Sequence, residues 1–136
     1  MPAAILCQIE NHIATLTLNS PERHNALSLE DLLALESLFE QLKHDDNVRV
    51  VVITGAGDKT FCAGAALGDV QQGLREGNRF QQMVDQLEDF PKPTICSLNG
   101  SVYGGGVELA LACDLRVGIT GIKTFVPPAK LGLCYP

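Results

Sequence analysis

Apolar positions along this chain follow two rhythms, and the switches between them mark its elements. His12 to Leu18 alternates as a half-buried strand does, and Ala4 to Glu10 is a second strand-like run. Only the short polar break at Asn11 separates the two, so a hairpin is expected. The turn-forming cluster Asn19 to Asn25 leads to Ser28, a good N-cap with Glu30 and Asp31 in the following turn. From there Leu32, Leu35, Leu38, Phe39 and Leu42 recur at spacings of three and four, which predicts a helix ending near His44 with Glu36, Glu40 and Gln41 wet.

Val50 to Thr54 is a continuous β-branched run, the pattern of a central strand covered on both faces. A loop is expected from Asp58 to Gly64, followed by the short residues Ala65 to Val70, where a ligand could approach the main chain. Gly73 to Gly77 reads as a polar connection. Asn78 to Phe90 reads as an amphipathic helix with Phe80, Met83, Val84, Leu87 and Phe90 on one face, stopped by Pro91 and Pro93. Thr94 to Leu98 suits a short buried strand, then a turn, then an apolar helical segment running to Cys113. Leu115 to Ile119 and Thr124 to Val126 read as further strands. Strands alternating with helices favour one sheet crossed by helices, with function where strand ends meet helix starts. No internal repeat is visible.

Composition adds boundaries to that picture. The 136 residues, 46% hydrophobic, suffice for one domain spanning 1–136 with its own core. A net charge of -6 with basic residues scattered singly argues against nucleic-acid or anionic-membrane partners. No apolar run approaches the roughly 18 residues of a membrane helix, and no secretory leader is visible, which together suggest a cytoplasmic protein. Cys7, Cys62, Cys96, Cys113 and Cys134 lack metal or redox-pair spacing, so buried, reduced thiols and no metal are expected.

The richest candidate chemistry lies in Asn99 to Asp114. Gly104, Gly105 and Gly106 bare the backbone just before a helix, where N–H groups have no intrahelical partner and face the positive end of the dipole. Such groups can bind an anion or a polarised carbonyl oxygen, which is half an oxyanion hole. Glu108 follows in the first turn as an ionisable neighbour. Close helix packing and dipole compensation explain the same residues equally well at this point.

Three segments together resemble the signatures of the crotonase superfamily. They are Asn19 to Ser28, Phe61 to Leu67 (similar to an FxAGADL motif) and Asn99 to Asp114 (similar to an NGxxxGGGxELALACD motif). The resemblance implies an α/β fold, the ClpP/crotonase-like spiral of ββα units. It covers about the first half of a typical member, so the later helices, which carry trimer contacts and close the acyl pocket, are expected to be absent. It implies an acyl-CoA thioester as substrate, with coenzyme A carried as part of it and no separate cofactor. It also implies enolate stabilisation by two main-chain donors, here Ala65 and Gly105. Ala63, Ala66, Leu67 and Gly68 would hold the CoA part, Arg23 and His24 would lie near its phosphates, and Glu108 would be an acid/base. A homo-oligomer, trimer or hexamer in the family manner and altered by the shorter chain, is implied as well.

Two departures shape the expected reaction. Pro128 stands where hydratases of the family carry a second glutamate, and Ala66 where an aspartate is usual. The segment from Phe90 and the ending Leu131 to Tyr135 resemble the methylmalonyl-CoA decarboxylase branch, which implies a role for Tyr135, although Ala65 replaces that branch's histidine. An enoyl-CoA hydratase/isomerase-like protein is therefore the leading expectation, an acyl-CoA decarboxylase the second, and a non-catalytic CoA-binding or self-associating chain the third.

Overall fold

The computed structural model describes residues 3–65, 79–121 and 124–125, the last two as backbone only. The expected hairpin is present: β1 (Ile5–Glu10) and β2 (Ile13–Leu18) pair antiparallel, with Asn11 and His12 at φ of 53° and 67° forming the tight turn. In β2, Ala14, Leu16 and Leu18 are buried while Thr15 and Thr17 are only half-buried, as the alternation requires.

A 3₁₀ turn (Pro21–Arg23) then leads to α1 (Leu29–Lys43). Ser28 caps α1 reciprocally: its Oγ accepts from the Asp31 N–H at 3.2 Å and its own N–H donates to Asp31 Oδ2 at 2.9 Å. Leu32, Leu35, Phe39 and Leu42 form the buried stripe. Glu36, expected to be wet, is instead half-buried, because Arg79 of the next helix pairs with it at 2.7 Å.

β3 (Val50–Gly55) runs parallel to β2 and is the middle strand of a five-stranded sheet ordered β1-β2-β3-β5-β7. Here β5 is Thr94–Leu98 and β7 is Leu115–Gly118. Val51 and Ile53 are fully buried, but Val50, Val52 and Thr54 only partly, so one face of β3 is covered and the other is half-covered. A second sheet is ordered β4-β6-β8, with β4 at Thr60–Cys62, β6 at Ser101–Tyr103 and β8 at Thr124–Phe125, the last within the strand expected over Thr124 to Val126. β4 falls in the expected loop and β6 in the expected turn. Three residues, the length of each of these two strands, are too few to display a period. Gly100 allows the approach, since a Cβ there would lie 2.5 Å from the Lys59 carbonyl.

The helices after β4 and β6 are α2 (Arg79–Glu88) and α3 (Gly105–Ala112). Met83, Val84 and Leu87 of α2 and Leu109 and Ala110 of α3 join the strands and α1 in one core. Cations cap two helix ends: Lys92 Nζ donates to the carbonyls of Leu42 and Asp45 at 2.7 and 2.8 Å, and Arg116 Nη1 to that of Cys113 at 2.9 Å. Asp114 joins the starts of β5 and β7, accepting from the Thr94 N–H at 2.9 Å while its own N–H donates to Thr94 Oγ1 at 2.9 Å.

Cys62, Cys96 and Cys113 are buried as expected, whereas Cys7 is exposed, because β1 is the edge strand of its sheet. Burial pushes the Cys62 thiol up to about 12. The Cys113 Sγ donates to the Leu109 carbonyl at 3.8 Å, and interaction with the neighbouring Cys113 thiol, followed by burial, holds the Cys96 thiol above the ordinary thiol range. Cys134, Pro128 and Val126 lie outside the described residues. Among the described residues no helix is long and apolar enough to cross a membrane, and no group of His, Cys, Asp or Glu is arranged to hold a metal.

Candidate active site

The segment after β4 lies main chain to main chain against the start of α3. A Cβ on Gly64 would fall 2.7 Å from the Gly105 nitrogen and 3.1 Å from its Cα; a Cβ on Gly106 would fall 2.3 Å from the Cys62 oxygen. Only glycine permits that approach, and Gly64 further needs it because its φ is +89°. Gly104, the N-cap of α3 at φ 55°, turns the chain out of β6 so that Gly105 becomes the first helical residue. Its carbonyl accepts from the Val107 N–H at 3.1 Å. Among the described residues, neither the Ala65 N–H nor the Gly105 N–H donates a hydrogen bond.

The 3₁₀ turn is sewn to the same place. The Leu27 N–H donates to the Gly64 carbonyl at 2.8 Å, and Leu27 and Ala65 form a parallel bridge. Arg23 and His24 are both exposed. Arg23 reaches back to Ser20 Oγ at 3.2 Å and lies 3.7 Å from Asp31, while His24 Nδ1 is 3.1 Å from Thr60 Oγ1. Ala63 is half-buried between Cys62 and Gly64. Of the sequence-derived site residues, the structure thus brings Arg23, His24, Ala63, Ala65 and Gly105 onto adjoining segments. Ala66, Leu67, Gly68 and Tyr135 lie outside the described residues.

Glu108 occupies the first turn of α3 and is half-buried. Partial burial, and secondarily the negative charge of Asp85 on α2, raise its carboxyl above the ordinary range, so it holds a proton more readily than a surface glutamate does.

Sequence reasoning missed two asparagines that build this site. Asn25 is buried at φ 56°; its Nδ2 donates to the carbonyls of Ala56 and Thr60 at 3.1 and 3.0 Å, and its Oδ1 accepts from the Ser20 N–H at 2.9 Å. Asn99 accepts from the Gly55 N–H at 3.0 Å and donates to the carbonyls of Gly57 and Thr60 at 3.0 and 3.1 Å. Their only sequence signal is their place inside two of the three signature segments. Together they hold the β3–β4 connection, and so the position of Gly64 and Ala65.

Strand–strand–helix units wound in a spiral, with bare main chain at a helix start, define this as a crotonase-fold α/β protein. An enoyl-CoA hydratase crystal structure from Bacillus anthracis superposes with a TM-score of 0.89 at 32% identity, over 96% of this chain and 53% of the other. The chain belongs to the enoyl-CoA hydratase/isomerase family, whose model matches residues 8–134. It is similar to YngF of Bacillus subtilis, 39% identical across 98% of this chain and 54% of the relative. It is also similar to the (E)-benzylidenesuccinyl-CoA hydratase of Thauera aromatica, 37% identical across 96% and 52%. The chain spans about half the length of the curated relatives it matches.

Proposed function

We propose that this protein binds an acyl-CoA thioester and stabilises its enolate, as an enoyl-CoA hydratase/isomerase-type site does. The observation that carries the reading is the close approach of Gly64 to Gly105, with the N–H of Ala65, next to Gly64, and that of Gly105 both donating no hydrogen bond among the described residues. In this reading the two groups donate to the thioester oxygen as charge develops on it. Donors fixed in advance stabilise that charge without reorganising, and removal of one costs about 2.7–4 kcal/mol of barrier.

Glu108 is the proton-exchanging group. Its raised pKa keeps a fraction protonated nearer neutrality, which suits a carboxyl that gives a proton to C2 of the enolate and takes one from water or substrate. In this reading the exposed side chains of Arg23 and His24 meet the phosphates of coenzyme A. A homo-oligomer is part of the same proposal.

Calorimetry with acetyl-CoA on the purified chain, together with its mass in solution, tests the reading. Saturable binding by a defined oligomer, followed by hydration of crotonyl-CoA that Glu108→Gln abolishes, is the expected result. Absence of acetyl-CoA binding overturns it.

A further inference from the structure

The three close-packed glycines of the site do not have the same kind of neighbour. A Cβ at Gly64 or Gly106 would strike main chain, but a Cβ at Gly105 would meet the tip of one aromatic ring: Phe80 Cζ at 2.8 Å, Cε1 at 2.9 Å and Cε2 at 3.4 Å. Phe80 lies in the first turn of α2 and is half-buried, whereas Met83, Val84 and Leu87 of the same helix are buried in the core. The Gly104–Gly105 peptide is tied at its oxygen by the Val107 N–H at 3.1 Å, but its own N–H donates to nothing among the described residues. What restrains that N–H on the Gly105 side is therefore packing.

We propose that Phe80 is a positioning residue, whose ring tip, seated against Gly105, fixes the direction of the first N–H of α3 toward the thioester oxygen. The inference rests on the proposed function and adds a group outside the three signature segments. It follows from the sensitivity of oriented donors to displacement, since misplacement by about 1 Å can cost on the order of a hundredfold in rate. Ring and glycine are also a matched pair: a methyl at position 105 needs the space the ring fills, and loss of the ring supplies it.

The test uses acetyl-CoA carrying carbon-13 at its carbonyl, bound to the full chain, with the infrared stretch of that carbonyl as readout. Wild type is expected to lower the stretch. Phe80→Ala should lose most of that lowering and Phe80→Leu should keep most of it. Gly105→Ala should lose it as well, and the double variant Phe80→Ala/Gly105→Ala should regain part. Where crotonyl-CoA is turned over, Phe80→Ala should lower kcat by about ten- to a hundredfold with a smaller change in KM. A wild-type shift that Phe80→Ala leaves unchanged overturns the role of Phe80 alone. Binding by wild type with no shift overturns the donor pair, and this role with it. If Phe80→Ala does not fold by circular dichroism, the Gly105→Ala spectrum decides, and an unchanged shift there overturns the proposal.

Discussion

Asn25 and Asn99 donate to one oxygen, the carbonyl of Thr60, at 3.0 and 3.1 Å. They reach it from the segment before α1 and from the end of β5, and between them they also satisfy Ser20, Gly55, Ala56 and Gly57. Removal of either side chain leaves partly buried main-chain groups unpaired. Asn25→Ala and Asn99→Ala are each expected to destabilise the fold by about 1–3 kcal/mol. Because both act on one connection, the double variant should lose less than the sum of the two. Urea unfolding of the four proteins measures this; strict additivity would mean that the shared oxygen couples nothing.

Position 105 separates a donor from its surroundings. Alanine and proline there both meet Phe80, but only proline removes the N–H, and proline is tolerated in the first turn of a helix. Turnover of an enoyl-CoA should fall in both variants, but Phe80→Ala should restore part of the rate to Gly105→Ala and none to Gly105→Pro, which has no N–H to recover. Equal recovery of the two variants by Phe80→Ala would remove the Gly105 N–H from the reaction.

Gly106 answers differently from its neighbour. Its Cβ would lie 2.3 Å from the Cys62 carbonyl oxygen, a main-chain atom with no rotamer to yield, whereas Gly105 faces a side chain that can turn. Gly106→Ala is therefore expected to destabilise by about 1–3 kcal/mol or more through backbone displacement. Gly105→Ala should be the milder of the two in thermal unfolding.

Glu108 and Asp85 give a pH dependence of known sign. Burial first, and then the Asp85 charge, raise the Glu108 pKa above its ordinary value of 4.5, so Asp85→Asn should lower it without restoring that value. Carbon-13 titration of the Glu108 carboxyl measures the shift. The folded pKa exceeds the unfolded one, so the stability due to proton binding is complete below the unfolded pKa and is lost as pH rises through the folded pKa. Relative to wild type, Glu108→Gln should thus gain stability across that window on going to higher pH. A flat difference in stability across the window would contradict the assignment.

Long elements were legible because repetition declares them. The alternation in β2, the stripe of α1 with its Ser28 cap, and the β-branched run of β3 all appear where the sequence places them. Of the second sheet only β8 was legible, within Thr124 to Val126, since β4 and β6 are three residues each and exist through pairing with each other. The site was half legible. Glycines at 104–106 mark bare backbone, but what they lie against comes from Gly64, Cys62 and Phe80, which are distant in sequence. Asn25 read only as part of a turn-forming cluster and Asn99 only as the start of a signature segment, because their partners are likewise distant, and Cys7 is exposed against expectation because nothing local marks β1 as an edge.

Both sheets add strands in the order in which the chain contains them: β1, β2, β3, β5, β7 in one and β4, β6, β8 in the other. Among the described residues, no strand has to be inserted between two made earlier. During synthesis, which releases about 5–20 residues each second, each strand from β5 onward emerges after the strand of its own sheet that it pairs with, and the newest strand of each sheet is that sheet's next template. Assembly can thus keep pace with the ribosome, and Gly105 and Glu108 arrive only after the Gly64 segment they meet.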